Sequence, residues 1–381
     1  MKRVILLGSS GSIGQSTCKV ARLLKDRMQI VGLAVQSSTD TLLKQCREFS
    51  PKAVSVTRKD AAERFESQIN GACPVFSGEE GLVKIVEEVE ADMVLVAIVG
   101  TAGLKPSLRA LELGRDLAVA SKEILVMAGQ SVMGLAAQKG CKVLPVDSEH
   151  NAIYQCLHST PEKQVSRLIL TASGGPFRKK PADEFSSITI EQALKHPTWN
   201  MGKKITIDSA TLFNKGLEMI EARWLFNIEM ARIDVIVHPE SIVHSMVEFI
   251  DHSILAQLSH SDMCFPIQYA VTWPDRVEND LKPLDFAFLQ KLTFEAPDPV
   301  RFPALRLARH AGERGGTLPA VLNAANEIAV EKFLTRQSSF PAIWETVEKV
   351  MQSHDAIDSP TLNDIVAADE WARRMALKAY L

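Results

Sequence analysis

The chain is predicted to be α/β, with an N-terminal doubly wound parallel sheet, a central α+β domain and a C-terminal α-helical domain. Three observations predict this. Short β-branched runs alternate with amphipathic stretches up to Val146, strand-like segments then follow one another with a hairpin signal, and beyond Pro303 only helical periods remain. In the first part Val4 to Leu7, Ile30 to Val35, Ala53 to Val56, Met93 to Ile98, Leu117 to Ala120 and Val143 to Val146 are almost unbroken apolar runs. Strands buried on both faces read this way, and helical segments fit between most of them. In the second part Arg167 to Thr171, Lys204 to Asp208, Ile233 to His238, Ser241 to Ile250 and Ser253 to Leu258 read as strands. The last two join at Asp251-His252 like a hairpin, so the sheet should be antiparallel or mixed. The proline-bearing stretch from Ala296 to Pro303 reads as a linker, and Leu318 to Leu334 and Pro341 to Met351 read as helices beyond it. The expected boundaries are therefore 1–146, 147–295 and 296–381.

Composition narrows the partners. With 381 residues, 46% apolar and 23% charged, the chain is long enough for two or three domains with cores of their own. A net charge of −3 argues against affinity for nucleic acid or an anionic membrane, which leaves a small molecule as the expected partner. The six cysteines are scattered with no C-x-x-C pair, which suits a reducing compartment. Met1-Lys2-Arg3 is followed by only four apolar residues before glycine, too few for a signal peptide, and Met93 to Val99 is too short to span a bilayer. The expected location is the cytoplasm.

The first motif with chemistry is Gly8-Ser9-Ser10-Gly11-Ser12-Ile13-Gly14, between the first strand and a helix from Ser12 to Leu24. Glycines there let the backbone turn tightly and approach a pyrophosphate, whose charge meets free amides at the helix N-terminus. Without a cofactor the same turn is only a tight connection; after strand one of an alternating fold it reads as a Rossmann-like dinucleotide site. NAD sites usually place an acidic residue near the end of strand two, to accept the ribose hydroxyls. Here strand two ends in Gln36-Ser37-Ser38-Thr39. Hydroxyls accept a ribose phosphate that a carboxylate would repel, so NADPH is favoured over NADH, although no arginine stands beside those serines in the sequence.

Asp147-Ser148-Glu149-His150-Asn151 follows the strand-like run ending at Val146. In an extended backbone residues i and i+2 point to one side, so Asp147 and Glu149 can converge on one cation. The competing reading is a cap, Asp147 or Ser148, on a helix from Glu149 to Leu157. Asn214 to Trp224 reads as a helix with Leu217, Ile220 and Trp224 on its apolar face and Asn214, Lys215, Glu218 and Glu221 on another stripe. That stripe is either a solvated charged face or a site for a phosphorylated, metal-chelating substrate. All-oxygen ligands suit Mg²⁺ or Mn²⁺ rather than Zn²⁺.

Four further segments can serve such a site or be mere structure. Thr171-Ala172-Ser173-Gly174-Gly175-Pro176-Phe177 follows a strand and can offer amides and a hydroxyl to an anion, as can Asp208-Ser209-Ala210-Thr211, read as closing the next strand. Lys195 to Lys204 joins His196, Trp199 and Met201 to lysines in a segment broken by Pro197 and Gly202, a composition that suits a lid excluding water. Ser121-Lys122-Glu123 lies at a strand's carboxyl end, where a surface ion pair is the plain alternative.

Taken together these segments resemble the 1-deoxy-D-xylulose 5-phosphate reductoisomerase family. The resemblance covers nearly the whole chain: to the segments above it adds Ala97-Ile98-Val99-Gly100, Pro145 to Ile153, His196-Pro197-Thr198-Trp199-Asn200-Met201-Gly202 and Leu322-Asn323-Ala324-Ala325-Asn326-Glu327. The resemblance implies metal ligands at Asp147, Glu149 and Glu218, with Glu221 as the rejected alternative. It implies substrate contacts at Lys122, Ser148, Glu149, Ser173, His196, Trp199, Met201, Ser209, Asn214, Lys215 and Glu218, of which Lys122, Glu149, Glu218 and His196 are expected to be catalytic. Cofactor contacts are expected at Ser10, Gly11, Ser12, Ile13, Ser121, Glu123 and Gly202, with Gln36, Ser37 and Ser38 on the adenosine side. Two places depart from the family pattern, Gln36-Ser37-Ser38 in place of Gly-x-Asn, and Ser121 in place of Asn.

The implied reaction is an NADPH- and divalent-metal-dependent rearrangement and reduction of 1-deoxy-D-xylulose 5-phosphate to 2-C-methyl-D-erythritol 4-phosphate, a committed step of non-mevalonate isoprenoid precursor synthesis. A homodimer through the central sheet is also implied. Two other readings share the first domain: a metal-independent NADP-linked dehydrogenase, which would keep its activity in EDTA, and an NADPH sensor, which would bind cofactor without oxidising it.

Overall fold

The computed structural model of the chain describes residues 1–158, 160–199 and 201–379. They divide into two compact units, one made of 1–124, 130–151 and 262–282, the other of 125–129, 152–261 and the chain from 283 onward.

In the first unit strand and helix alternate from β1 through β7. β1 (Lys2–Leu7), β2 (Met28–Val35), β3 (Ala53–Val56), β4 (Val75–Ser77), β5 (Met93–Val96) and β6 (Asp116–Val119) are each followed by a helix. The helices are α1 (Ser12–Leu23), α2 (Thr39–Phe49), α3 (Lys59–Ile69), α4 (Gly78–Glu88), α5 (Leu104–Glu112) and α6 (Glu123–Lys139). β7 (Val143–Pro145) then leads into α7 (Ser148–Leu157). The seven described strands are all parallel, in the order β4-β3-β2-β1-β5-β6-β7. Helices cover both faces, so Val4, Ile5, Leu6 and Leu7 are fully buried, which is why β1 reads as an apolar run rather than an alternation. Strand order reverses between β1 and β5, and ligands of such sheets bind outside the carboxyl ends at that reversal. β4 escapes sequence reading because it is a three-residue edge strand without an apolar run. The helix Cys264–Thr272, from much later in the chain, packs against α1 in this unit.

The second unit is built on a mixed sheet. β8 (Val165–Ala172), β9 (Ile233–Val237), β10 (Val243–Phe249) and β11 (Ile254–Leu258) lie in the order β11-β10-β8-β9, with β8 and β9 parallel and the other pairs antiparallel. The hairpin expected at Asp251-His252 joins β10 to β11. Its helices are α8 (Ile190–Ala193), α9 (Lys203–Thr211), α10 (Phe213–Phe226), α12 (Phe286–Leu289), α13 (Ala304–Arg314), α14 (Leu318–Leu334), α15 (Ala342–Gln352) and α16 (Leu362–Lys378), α11 being the Cys264–Thr272 helix of the first unit. The boundary expected at residue 295 does not separate cores: Leu168 and Leu170 of β8, Leu217 and Ile220 of α10, and Val321, Val347 and Ala372 of the last helices belong to one hydrophobic cluster. Phe340 centres it, with the rings of Phe177, Phe185, Phe333 and Trp344 at 5.2, 6.0, 5.7 and 5.5 Å.

Two expectations are corrected. Lys204 to Asp208 is no strand, and Asp208 to Thr211 does not close one; both lie in α9. The alternation of Ile205 and Ile207 mimics a strand, but Thr206, Ser209 and Thr211 return their hydroxyls to the carbonyls of Gly202, Ile205 and Ile207 at 2.8, 2.9 and 3.0 Å. These four-residue back-bonds let β-branched and hydroxyl residues sit in a buried helix, where packing overrides propensity. Asp147 and Glu149 likewise do not share an extended segment, because the chain turns into α7 at Ser148 and Glu149 occupies its first turn.

Candidate functional site

In the first unit the predicted residues collect along the carboxyl edge of the sheet. Gly8 to Gly14 forms the turn from β1 into α1, with Gly11 as the residue before the helix. A Cβ on Gly14 would come within 2.4 Å of the Gly8 carbonyl oxygen, so only glycine lets the helix start this close to the turn. Ser12 is the exposed first residue of α1, and no acidic residue stands in that first turn. Gln36 and Ser38 are exposed beyond the end of β2. Ser121 is buried, and its hydroxyl donates to the Ile98 carbonyl, tying the end of β6 to that of β5. Glu123, also buried, opens α6.

Between Ser121 and Glu123, the Lys122 ammonium meets the carboxylate of Asp147, which follows the neighbouring strand β7, at 2.6 Å, with both side chains largely buried. Burial by itself would raise the Asp147 carboxyl, but the charges of Lys122 and His150 outweigh it and hold the group well below the usual carboxylate range. The Ser148 hydroxyl donates to Glu149 Oε2 at 2.6 Å, orienting the second carboxylate. Lys122 is therefore no surface lysine, because only 6% of its side chain is exposed.

In the second unit the polar stripe of α10 is not solvated. Lys215, Glu218 and Glu221 are 3%, 0% and 0% exposed, which removes the charged-face reading. Glu218 accepts from Asn214 Nδ2 at 2.5 Å and pairs through its other oxygen with Lys215, so three expected contacts converge within one helical turn. Burying these charges is tolerable only because they are paired and hydrogen-bonded.

The Ser173 turn faces α9. A Cβ on Gly175, whose φ is +66°, would meet the Ser209 carbonyl at 2.8 Å, so the Gly174-Gly175 pair brings the two hydroxyl segments together. His196 Nε2 lies 3.0 Å from Ser173 Oγ, while its Nδ1 accepts from the backbone amides of Trp199 and Thr198 at 2.9 and 3.2 Å. With Nδ1 accepting, the neutral ring carries its proton on Nε2 and donates it to Ser173. Burial lowers His196 to about 4, which agrees with a neutral ring at pH 7. Ser173 Oγ also accepts from the Gly175 amide at 3.2 Å, so its own proton is directed to an incoming acceptor such as a phosphate oxygen. Trp199 packs near the ring of His244, at 6.2 Å between centroids, and burial also pushes His244 to about 4. Met201 is half-buried, Gly202 precedes α9, and Asn200 of the same motif lies outside the described residues.

Sequence reading assigns no role to two supporting residues. Buried Gln45 of α2 accepts from the Ser9 hydroxyl at 2.7 Å and donates to the Ser9 carbonyl at 2.9 Å, bracing the glycine turn from a neighbouring helix. Buried Asn326 of α14 donates to Asp208 at 2.8 Å, and Lys204 pairs with the other oxygen of Asp208 at 2.9 Å, which fixes α9 beside Ser209. Asn323 and Asn326, amides in the apolar first half of α14, are the available signal for the second; Gln45 offers none.

Comparison with known proteins agrees over the length of the chain. The family described as 1-deoxy-D-xylulose 5-phosphate reductoisomerase matches residues 4–129, and the C-terminal domains of the same enzyme match residues 143–226 and 258–375. The chain is 51% identical to the 1-deoxy-D-xylulose 5-phosphate reductoisomerase of Caldanaerobacter subterraneus subsp. tengcongensis, with 100% of both chains covered. It is 52% identical to that of Chlorobaculum tepidum, with 99% of each covered. Among solved structures it is similar to the Zymomonas mobilis enzyme in complex with NADPH, at TM-score 0.93 and 40% identity, covering 100% of this chain and 99% of that one. It is also similar to a reductoisomerase bound to NADPH, fosmidomycin and magnesium, at TM-score 0.92 and 38% identity, covering 100% and 98%.

Proposed function

From membership of the 1-deoxy-D-xylulose 5-phosphate reductoisomerase family, to which this chain belongs, we propose how its residues divide the reaction. The reaction is the NADPH- and divalent-metal-dependent conversion of 1-deoxy-D-xylulose 5-phosphate to 2-C-methyl-D-erythritol 4-phosphate. The observation that carries the assignment is the buried Lys215–Glu218 pair on one turn of α10, with half-buried Asn214 donating to Glu218, a costly arrangement that a solvated helix face does not require.

Asp147, Glu149 and Glu218 are the proposed ligands of a Mg²⁺ or Mn²⁺ ion; all three supply carboxylate oxygens, the donor type these cations take. When bound, the cation polarises the substrate's carbonyl and neighbouring hydroxyl, and NADPH supplies the hydride. The remaining work belongs to side chains. Lys122 stabilises developing oxyanion charge, held in place by Asp147. Ser173, Ser209, Asn214 and Lys215 hold the phosphate, and His196, fixed in one tautomer by the Thr198 and Trp199 amides, orients Ser173 toward it. In this state the Ser209 hydroxyl donates to Ile205 and has to rotate to serve the phosphate. Trp199 and Met201 cover the substrate and exclude water, while Ser148 and Glu149 hold its polar end. Ser10, Gly11, Ser12 and Ile13 receive the cofactor's pyrophosphate at the start of α1, Gln36, Ser37 and Ser38 its adenosine end, and Ser121, Glu123 and Gly202 the nicotinamide side.

Oxidation of NADPH followed by absorbance, with 1-deoxy-D-xylulose 5-phosphate as substrate, tests this reading. Turnover is expected with Mg²⁺ or Mn²⁺ and is expected to vanish in EDTA; metal-independent oxidation would leave the ligand assignment without a role.

The proposed assembly is a homodimer through the edge of the mixed sheet. β11 ends that sheet with Ile254 and Leu255 about half exposed, and an apolar, unpaired edge invites a second copy. Sedimentation is expected to give twice the chain mass, and Leu255→Lys to give the monomer; a wild-type monomer would refute the proposal. All six cysteines are free thiols, in keeping with the reducing cytoplasm proposed as the location. No helix among the described residues is long and apolar enough to cross a membrane.

A further inference from the structure

We infer that Arg58 selects NADPH over NADH in this chain by binding the phosphate on the adenosine ribose. The inference rests on the proposed placement of the pyrophosphate at Gly8 to Gly14. A ribose phosphate brings close to two negative charges, and Gln36, Ser37 and Ser38 offer it hydrogen bonds but no cation. The cation comes from the neighbouring strand. β3 runs parallel to β2, pairing Gly32 with Ala53 and Val35 with Val56, so both strands emerge at the same edge. Backbone bonds carry the pairing past the strand ends: the Thr57 amide donates to Val35 at 3.0 Å and the Arg58 amide donates to Gln36 at 2.9 Å. Arg58 therefore stands beside Gln36 at about one strand spacing, roughly 4.8 Å, a proximity invisible in a sequence that separates them by 22 positions.

The side chain is equipped for the task. It is 56% exposed, and its Nε pairs with Asp60 at 2.7 Å, so paired contacts with phosphate oxygens would come from its two Nη groups. Asp60 is shared with Arg64 at 3.1 Å, so the cluster of two guanidiniums and one carboxylate remains net positive. Lys59, the adjacent cation, runs the other way: its Cε lies 3.7 Å from where a Cβ on Gly78 would stand, at the turn from β4 into α4, one strand further from β2.

Steady-state kinetics with NADPH and with NADH on Arg58→Ala, Arg58→Lys and Lys59→Ala test the inference, with cofactor affinity read by fluorescence titration where NADH turnover is slow. Losing a charge-assisted phosphate contact is expected to raise the KM or Kd for NADPH about 10- to 100-fold in Arg58→Ala. The NADH constant, kcat at saturating NADPH and the substrate KM should hold. Arg58→Lys should recover part of the loss, and Lys59→Ala should leave the NADPH-to-NADH ratio unchanged. An equal rise for both cofactors, no rise for NADPH, or a ratio shifted by Lys59→Ala instead would overturn the inference. Ser12→Asp separates this from the underlying reading, because it opposes the pyrophosphate common to both cofactors. If it weakens neither, the placement of the pyrophosphate is wrong whatever Arg58→Ala does.

Discussion

Glu218→Gln is expected to abolish turnover while leaving NADPH binding in the first unit unchanged. The substitution keeps the shape of the side chain and removes its charge, so a divalent cation loses an anionic ligand. Metal ions supply several kcal/mol of transition-state stabilisation, and losing about 4 kcal/mol lowers kcat about a thousandfold. The same change strips the buried Lys215 ammonium of its carboxylate, and breaking a buried pair costs about 3–5 kcal/mol of stability. A melting curve therefore accompanies the kinetics, together with Glu218→Gln/Lys215→Met, which removes both charges. The double variant should recover stability without recovering activity. Equal losses of turnover and NADPH affinity in a folded Glu218→Gln protein would contradict the proposed division of labour.

Ser12→Asp is expected to act on the other half of the reaction. Ser12 is the exposed first residue of α1, whose first turn has no acidic group. An aspartate there interacts favourably with the helix dipole by about 0.3–1 kcal/mol, so folding should be unharmed. The same charge faces a pyrophosphate. Two like charges about 4 Å apart repel by about 1 kcal/mol in water and about 4 kcal/mol near a protein surface. Cofactor affinity should accordingly fall by about fivefold to about a thousandfold, alike for NADPH and NADH, with the melting temperature steady or raised. Unchanged cofactor affinity would move the pyrophosphate away from α1.

Why some features were legible and others not follows from what a local pattern encodes. The β-α alternation is readable because strand segments covered on both faces are apolar in unbroken runs, as Val4 to Leu7 of β1, Ile30 to Val35 of β2 and all of β5 are. β4 is not, being too short and too exposed to leave a pattern. α9 was misread because Ile205 and Ile207 alternate like a strand, whereas hydroxyl back-bonds and burial on all sides make the helix the better solution. Asp147 and Glu149 were placed near each other in the chain for the wrong geometric reason, since one lies at a strand end and the other in the first turn of α7. The functional resemblance depended on neither detail, because it rested on ordered motifs rather than on their conformation.

By itself, then, the sequence determined the parallel sheet, a second sheet that is antiparallel or mixed with its hairpin, the position of the glycine turn, and the residue types a phosphorylated, metal-chelating substrate needs. Tertiary structure alone decided that Lys215 and Glu218 are buried as a pair, that Lys122 is held by Asp147, that Gln45 braces Ser9 and Asn326 anchors Asp208, and that Arg58 stands beside Gln36. Periodicity reports which face of one element avoids water. Desolvation and charge pairing depend instead on which other elements pack against that face, and those partners lie tens to more than a hundred residues away along the chain.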